Sequence, residues 1–306
     1  MREKEKKYCA PVILFVYKRP EHTKQCVQAL KHNIMAEHTD LYIFSDGPKT
    51  EKDAEAVNFV RNYIHTLETE GIFQKVSVVE SEKNKGLAAS IIAGVTQIIN
   101  EYGRAIIVED DLITSKDFLQ FMNGALDYYA DIPKVGSVSG HTYPVSYLDS
   151  YQKDIYLIRK GECWGWATWK DRWEKVDWSV ASYPEYLKNR KMQKEFKRLE
   201  YGLDRMLKWQ MKGKLDSWAV RWCYHLFREG LLTVYPSASR TKNIGIDGSG
   251  THCQADNRKT VCLYEGIEKC HYEMMGVIPQ LEKQVAVFEK ETLAEKIKRY
   301  RRILQR

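Results

Sequence analysis

The feature that most constrains this sequence is a short apolar run that ends in three consecutive acids. Residues 105–108 read Ala-Ile-Ile-Val, and Glu109, Asp110 and Asp111 follow directly. A continuous apolar run of this length is typical of a strand buried on both faces of a sheet. Since adjacent strand residues point to opposite faces, we expect Glu109 and Asp111 to share one face and Asp110 to point away.

This acidic motif is a candidate metal site. Three carboxylates at the end of a buried strand repel each other, and a cation among them would relieve the repulsion. Their hard oxygen atoms suit Mg²⁺ or Mn²⁺, with coordination positions left for phosphate oxygens. Taken alone, the motif is equally consistent with an exposed acidic turn before a helix that starts near Ser115.

Strand and helix signals alternate over the first 140 residues, which predicts a mostly parallel α/β sheet with helices on both faces. The turns that follow the strands would meet at one edge, where open α/β sheets bind ligands, and would suit a nucleoside diphosphate there. The predicted strands are 11–17, 41–44, 75–79, 105–108 and 135–138, the predicted helices are 21–32, 53–67, 87–99 and 118–129, and the turns are 18–19, 46–47, 84–86 and 109–111.

The second half of the chain is rich in tryptophan. All eight tryptophans lie between Trp164 and Trp222, and four of them lie in the segment 161–173. Their faces can stack on sugar rings, although we expect at least half of them to be structural. Gly161 and Gly165 suggest a flexible, exposed segment, and we expect an acceptor pocket there.

Two further stretches could carry function. Asp216 opens a helix that runs to about Arg228, where it is either a capping acid or a catalytic carboxylate. The polar, glycine-rich stretch 239–252 contains Lys242 and His252 and could order over phosphates, or be a plain surface loop.

Composition excludes several classes of protein. The chain has 306 residues and a net charge of +7. It contains neither a Gly-x-Gly-x-x-Gly nor a P-loop motif, which argues against a dinucleotide dehydrogenase or a P-loop NTPase. No stretch of 18 apolar residues is present, so the sequence predicts no membrane-spanning helix. Seven scattered cysteines without Cys-x-x-Cys fit a reducing cytosol, and the modest basic excess favours an anionic substrate or surface over nucleic acid.

Together these pieces resemble a GT-A-fold glycosyltransferase, and most closely the N-acetylglucosaminyltransferase I family and its bacterial relatives. The motifs that carry the resemblance are Val-Ile-Leu-Phe-Val-Tyr-Lys-Arg-Pro at 12–20, Phe-Ser-Asp-Gly at 44–47, Asn-Lys-Gly-Leu at 84–87, Ile-Val-Glu-Asp-Asp-Leu at 107–112, Gly-Trp at 165–166 and Asp-Ser-Trp at 216–218. The family commonly has an Asp-Asp pair before the last tryptophan, and Ser217 replaces one member here.

The resemblance implies an inverting transfer of a sugar from a nucleotide-sugar, namely a UDP-sugar such as UDP-GlcNAc, to a hydroxyl of a glycan or glycolipid. It implies a donor-binding half at 8–160 and an aromatic-rich acceptor half at 161–275, whereas the residue pattern alone predicts a helical basic tail at 276–306. Asp216 would be the general base, with Glu162 and Asp204 in reserve. The implied metal ligands are Asp111 and Glu109; the donor contacts are Arg19, Asp46, Asn84, Lys85, Gly86, Asp110, Lys242 and His252; the acceptor contacts are Glu162, Trp164, Trp166 and Trp218.

Two rival functions remain at the level of sequence. A nucleotidyltransferase acting on a sugar phosphate also combines a parallel sheet with metal-binding acids, but it usually has a glycine-rich loop where this chain has Lys18-Arg19-Pro20. A carbohydrate-binding protein without catalysis would keep the tryptophans and could lose the base.

The basic tail predicts a peripheral contact with a membrane on the cytoplasmic side. Leu293, Ile297, Tyr300 and Leu304 form one apolar stripe at helical spacing, and six cations and no acid lie from Lys296 to the end. Such a helix could rest on anionic lipid, as would suit polysaccharide biosynthesis, or pack on protein.

Overall fold

A computed structural model describes residues 9–245 and 261–288 and contains an eight-stranded mixed sheet. The sheet strands are β1 (Val12–Val16), β2 (Asp40–Ser45), β3 (Lys75–Glu80), β4 (Arg104–Glu109), β6 (Val135–Ser139), β7 (Ile155–Ile158), β8 (Trp166–Trp169) and β9 (Leu232–Pro236); β5 (Leu112–Thr114) and β10 (Thr241–Asn243) form a separate antiparallel pair. The order across the sheet is β3-β2-β1-β4-β8-β6-β9-β7. Strands β3, β2, β1 and β4 are parallel to one another, and β8 runs antiparallel between β4 and β6.

Helices cover both faces of the sheet. They are α1 (Pro20–Lys31), α2 (Glu51–Glu70), α3 (Leu87–Tyr102), α4 (Phe118–Tyr128), α5 (Lys170–Trp173), α6 (Tyr183–Lys188), α7 (Arg190–Leu199), α8 (Leu203–Met211), α9 (Trp218–Arg228) and α10 (Pro279–Phe288), with 3₁₀ helices at Ala36–His38 and Ser146–Ser150. The predicted α/β architecture, with a mostly parallel sheet and helices on both faces, is confirmed.

Strand β1 shows why the sheet has two cores. Val12, Leu14 and Val16 pack with residues of α1, α2 and α4, whereas Ile13 and Phe15 pack with residues of α3 and α9. The alternation of side chains along a strand sends successive residues to opposite faces, so a strand covered on both sides must be apolar throughout.

The second half of the chain completes this sheet. Strand β8 (Trp-Ala-Thr-Trp) is buried throughout and pairs with both β4 and β6. The prediction of an exposed segment here was wrong, because Trp166 packs against α9 on one face of the sheet and Trp169 packs with residues of α4 on the other. Strands from both sides of the division at 160–161 therefore belong to one sheet, and the assignment of donor and acceptor halves remains a prediction.

No described helix is long and apolar enough to cross a membrane. The predicted amphipathic stripe from Leu293 to Leu304 and the candidate donor contact His252 lie outside the described residues.

Candidate functional site

The acidic motif lies where the carboxyl ends of the central strands meet. Glu109 ends β4 and is paired in register with Phe15 of the parallel strand β1. The chain leaving β1 therefore reaches Lys18 and Arg19 beside the acids that leave β4. This neighbourhood was predicted, because parallel strands place their following turns on one edge.

Arg19 joins the two aspartates. One terminal nitrogen of its guanidinium donates to Asp110 Oδ1, and the other lies 3.0 Å from Asp111 Oδ2. The expectation that Asp110 points away from Asp111 was wrong. Regular strand geometry ends at Glu109, so the alternation of faces does not extend to the two residues after it.

The cluster carries more negative charge than one arginine neutralises. Asp110 and Asp111 are 4% and 8% exposed. Burial, reinforced by repulsion from Asp111 and Asp110, raises the pKa of Glu109 to about 8. Burial also raises the pKa of Asp110 to about 6 against the opposing effect of Arg19. A carboxylate set of this kind fits a further hard cation.

The backbone after β10 closes over the acids. Strand β10 pairs antiparallel with β5, and Ile244 N donates to the carbonyl of Asp111 at 2.8 Å. A Cβ on Gly245 would lie 2.3 Å from Asp111 Oδ2 and 3.0 Å from Arg19 Nη1. Only glycine lets the backbone approach this closely, and Lys242 lies three residues before it on β10.

Asp46 organises the neighbouring turn. Its carboxylate accepts hydrogen bonds from the N–H groups of Gly47 at 2.9 Å, Lys85 at 2.8 Å and Gly86 at 2.9 Å. Asn84 Nδ2 donates to the carbonyl of Gly47 at 2.8 Å. Four predicted donor contacts are thus brought together, and Asp46 fixes the turn that precedes α3.

Glu162 belongs to a buried polar network that also contains Tyr143, Lys160 and Glu200. Its carboxylate accepts hydrogen bonds from Tyr143 and from Cys163 N at 2.9 Å, and Lys160 Nζ lies 3.3 Å from Glu162 and 3.1 Å from Glu200. Burial alone would raise the pKa of Glu162, but Lys160, His141 and these hydrogen bonds lower it to about 2. A carboxylate held in its ionised form to such low pH accepts protons weakly.

Sequence reasoning missed Lys160, Tyr143, His141 and Glu200. The only local signal is a lysine two residues after the apolar segment 155–158 and two residues before Glu162. Their meeting depends on the return of the chain from β7 to β8 and on the helices α7 and α8, which no short motif predicts.

Most tryptophans are structural, as expected. Five of the eight are buried: Trp166, Trp169, Trp173, Trp218 and Trp222. Trp166 is 0% exposed and stacks on Trp218, which is 3% exposed, with ring centroids 5.0 Å apart. Burial leaves these two predicted acceptor contacts without a face for a sugar. Of the three predicted tryptophan contacts, only half-buried Trp164, whose ring meets His141 edge-on, retains part of its surface.

The candidate base Asp216 lies at the surface. Its side chain is 67% exposed and forms an ion pair with Arg221 at 2.9 Å. Ser217, not Asp216, caps α9, because the Ser217 hydroxyl accepts from Val220 N at 3.3 Å. The capping explanation for Asp216 is thereby excluded, while its catalytic role remains a prediction. The reserve Asp204 lies half-buried on α8.

Within the described ranges, no group of three or more histidine, cysteine, aspartate or glutamate side chains is arranged to hold a metal ion. Arg19 lies between the two aspartates instead. Coordination by Asp111 and Glu109 would thus require the acidic side chains and Arg19 to rearrange.

No protein-family model and no curated protein matches the chain. Similar solved structures include the mannosyltransferase PcManGT from Pyrobaculum calidifontis in complex with GDP-Man and Mn²⁺, at 13% identity over 72% of this chain and 69% of that chain, with a TM-score of 0.41. TarS 1-349 of S. aureus is 11% identical over 76% of this chain and 59% of that chain, with a TM-score of 0.42. A putative glucose-1-phosphate thymidylyltransferase from Bacillus anthracis is 12% identical over 77% and 90%, with a TM-score of 0.41.

These similarities are to proteins of more than one class. They include a nucleotidyltransferase as well as glycosyltransferases, and they do not establish the resemblance to the N-acetylglucosaminyltransferase I family.

Proposed function

We propose that this chain is a metal-dependent inverting glycosyltransferase that moves a sugar from a nucleotide-sugar to a hydroxyl of a glycan or glycolipid. The observation that carries the proposal is the cluster at 109–111, in which half-buried Glu109 and the buried Asp110 and Asp111 lie at the carboxyl edge of the parallel strands beside Arg19, with the backbone of Gly245 against Asp111. That edge is where α/β sheets bind their ligands.

The acids and Arg19 have complementary parts in this proposal. Asp111 and Glu109 would hold Mn²⁺ or Mg²⁺, which when bound neutralises the leaving nucleoside diphosphate. Arg19 would turn from Asp111 to the diphosphate, and Lys242 and His252 would supply further contacts to the donor. Asp110 supports Arg19, and Asp46 with the turn 84–86 forms the wall beside the nucleotide.

Asp216 is the proposed base. Its carboxylate would take the proton of the acceptor hydroxyl while the hydroxyl oxygen attacks the anomeric carbon and the bond to the diphosphate breaks on the opposite face. Its exposure leaves it accessible to a glycan, whereas the low pKa of Glu162 favours a hydrogen-bonding role for that residue. Glu162 and Trp164 would orient the acceptor, and buried Trp166 and Trp218 would only support the wall.

The donor is inferred to be a UDP-sugar, with UDP-GlcNAc suggested by resemblance alone. We place the enzyme in the cytoplasm, peripheral to the membrane, with 8–160 binding the donor and 161–275 the acceptor. A role in polysaccharide biosynthesis would follow from such an acceptor.

The decisive experiment measures release of nucleoside diphosphate from UDP-GlcNAc, other UDP-sugars and GDP-mannose by the full chain, with and without Mn²⁺. Asp111→Ala should abolish the metal-dependent release and leave the fold intact, and Asp131→Ala, which changes an exposed aspartate, should behave as wild type.

Full activity in Asp111→Ala would refute the metal assignment. Release of pyrophosphate from a nucleoside triphosphate and a sugar phosphate would identify a nucleotidyltransferase instead. Sugar binding without either reaction would identify a non-catalytic binding protein.

A further inference from the structure

A surface pocket of about 420 Å³ lies between the 3₁₀ helix Ser146–Ser150 and α10. Its lining consists of two tyrosines, three glutamines and two serines, and it includes no charged side chain among the described residues. Nothing in the function proposed above uses these residues.

The pocket opens at the edge of the sheet that carries the acids. Ile155, at the amino end of β7, pairs with Pro236 at the carboxyl end of β9, so the 3₁₀ helix that precedes β7 lies at that edge. Strand β9 is parallel to β6. The carboxyl ends of β6 and β4 lie at the same edge of the sheet, because both pair with the amino end of β8, which lies between them. Four strand spacings separate β4 from β7, which corresponds to roughly 19 Å.

Hydrogen bonds hold the lining in place. Gln284 Oε1 accepts from Tyr147 N at 2.9 Å, and Gln284 Nε2 donates to Ser146 Oγ at 3.3 Å. The Tyr151 hydroxyl donates to the carbonyl of Ile155 at 3.0 Å. The rings of Tyr147 and Tyr151 lie 6.0 Å apart between centroids. The pocket is therefore preformed, which reduces the entropy lost when a ligand binds.

Helix α10 is itself firmly attached to the domain. Leu281 and Val285 are buried in a core shared with Tyr156 and Tyr235, and Glu282 pairs with Arg159. Its exposed residue Gln280 lies one turn before Gln284, so both amides face the same side of the helix.

The chemistry of the lining selects one class of ligand. A cation would favour a phosphate or carboxylate, and a carboxylate would favour a metal ion or amine, but the described lining offers neither. Glutamine, serine and tyrosine side chains both donate and accept hydrogen bonds, and tyrosine also offers an apolar ring face. A neutral sugar, with many hydroxyls and apolar ring faces, matches this combination.

We propose that this pocket binds a neutral sugar unit of the acceptor glycan, several units away from the reacting hydroxyl. The identification of this sugar as part of an acceptor rests on the proposed function, whereas the binding of a neutral sugar does not depend on it. The enzyme would thereby prefer an extended glycan to a single sugar, because a second contact along the same chain adds to the affinity of the first.

The test begins with binding in the absence of catalysis. The labelled full chain, in EDTA and without donor, is applied to an array of neutral and anionic oligosaccharides, and the dissociation constant of the strongest neutral hit is measured in solution. Gln280→Glu and Tyr147→Ala should weaken this binding by about tenfold or more. Gln74→Glu makes the same charge change at an exposed site before β3 and should leave binding unchanged, as should Asp111→Ala.

Gln280 is exposed, so Gln280→Glu should fold normally even if Tyr147→Ala does not. The proposal is overturned if no neutral oligosaccharide binds, or if the strongest hit binds folded Gln280→Glu as tightly as wild type. Pocket-dependent binding by a protein that releases no nucleoside diphosphate would refute the proposed function and keep the sugar site. Diphosphate release by a protein whose binding of neutral oligosaccharides does not depend on Gln280 would refute the sugar site and keep the proposed function.

Discussion

Arg19 is the cation that makes the acidic cluster compatible with a folded chain. It contacts two buried carboxylates, one of them at 3.0 Å, and its own side chain is 21% exposed. A residue that both balances the acids and can reach a diphosphate would exchange one set of anions for another when donor and metal bind. Without metal the acidic cluster depends on Arg19, whereas with Mn²⁺ bound the metal ion would balance the same acids. Removal of Arg19 should therefore affect the protein less when Mn²⁺ is present.

We expect Arg19→Gln to destabilise the protein by about 3 kcal/mol, because it leaves two buried carboxylates without their partner. Addition of Mn²⁺ should raise the melting temperature of this variant by more than that of wild type, since the metal replaces the lost cation. Thermal unfolding with and without Mn²⁺ measures both effects.

The matched control is Arg228→Gln, because Arg228 is 41% exposed and pairs with Glu185 at a longer distance of 3.8 Å. It should lose little stability and gain nothing from Mn²⁺. Equal responses of the two variants to the metal would contradict the proposed site.

Asp216 can be separated from its neighbour Ser217. Asp216→Asn should lower kcat by roughly two orders of magnitude or more if Asp216 is the base, and leave the melting temperature nearly unchanged because the side chain is 67% exposed. Ser217→Ala should do the opposite, costing about 1 kcal/mol of stability through loss of the helix cap without a large change in kcat. Normal turnover by Asp216→Asn would leave it a surface residue paired with Arg221.

Glu162 gives the protein a dependence on pH that can be assigned. Its pKa in the folded chain is about 2, below the ordinary value of 4.5, so the folded state favours the ionised form. The resulting stability is fully present above the ordinary value and is lost as the pH falls toward 2. We expect the difference in melting temperature between wild type and Glu162→Gln to be largest near pH 7 and to shrink between pH 5 and pH 3.

Glu185→Gln serves as the comparison, because Glu185 is 80% exposed. Its melting temperature should follow that of wild type across the same pH range. A difference between wild type and Glu162→Gln that stays constant with pH would mean that the carboxylate is not held in its ionised form.

At the scale of elements, the short pair of β5 and β10 decides how the acids are covered. The two strands are three residues each, and they bring the backbone at 244–245 against Asp111. Their pairing joins residues more than 120 positions apart, so the cover forms only when the domain is complete.

Gly245→Ala should impair catalysis more than stability. The added Cβ would lie 2.3 Å from Asp111 Oδ2, so either the acid or the loop must move. Turnover should fall by about tenfold or more. The melting temperature should change little, because residue 245 lies outside the two main hydrophobic cores. Gly71→Ala provides a control at a left-handed position with open space around it, and it should lower stability without affecting turnover.

At the scale of the whole molecule, the halves of the chain share one sheet. Strand β8 lies between β4 and β6, and Trp166 from that strand packs with Trp173, Trp218 and Trp222 under the acid-bearing edge. The aromatic cluster therefore fixes the position of α9, and with it Asp216, relative to the sheet. The sequence suggested a sugar-binding role for these tryptophans, but in the structure they pack between the sheet and α9 and hold the domain together.

The sequence by itself determined the parallel part of the sheet and its acidic edge. Residues 105–108 are apolar in succession, and the strand-helix alternation around them leaves few alternatives, because local periodicity and the connection rules for parallel strands decide the outcome. The nearness of Arg19 to the acids followed from the same rules.

Only the tertiary structure decided the rest. Trp166 and Trp218 are buried, and Arg19 pairs with both aspartates. Ser217 caps α9, and Lys160, Glu162 and Glu200 form one network. These outcomes depend on contacts between segments far apart in the chain and on which faces remain after packing. A pattern of neighbouring residues fixes which side chains can be buried, but the competition among distant segments for the same space determines which of them are.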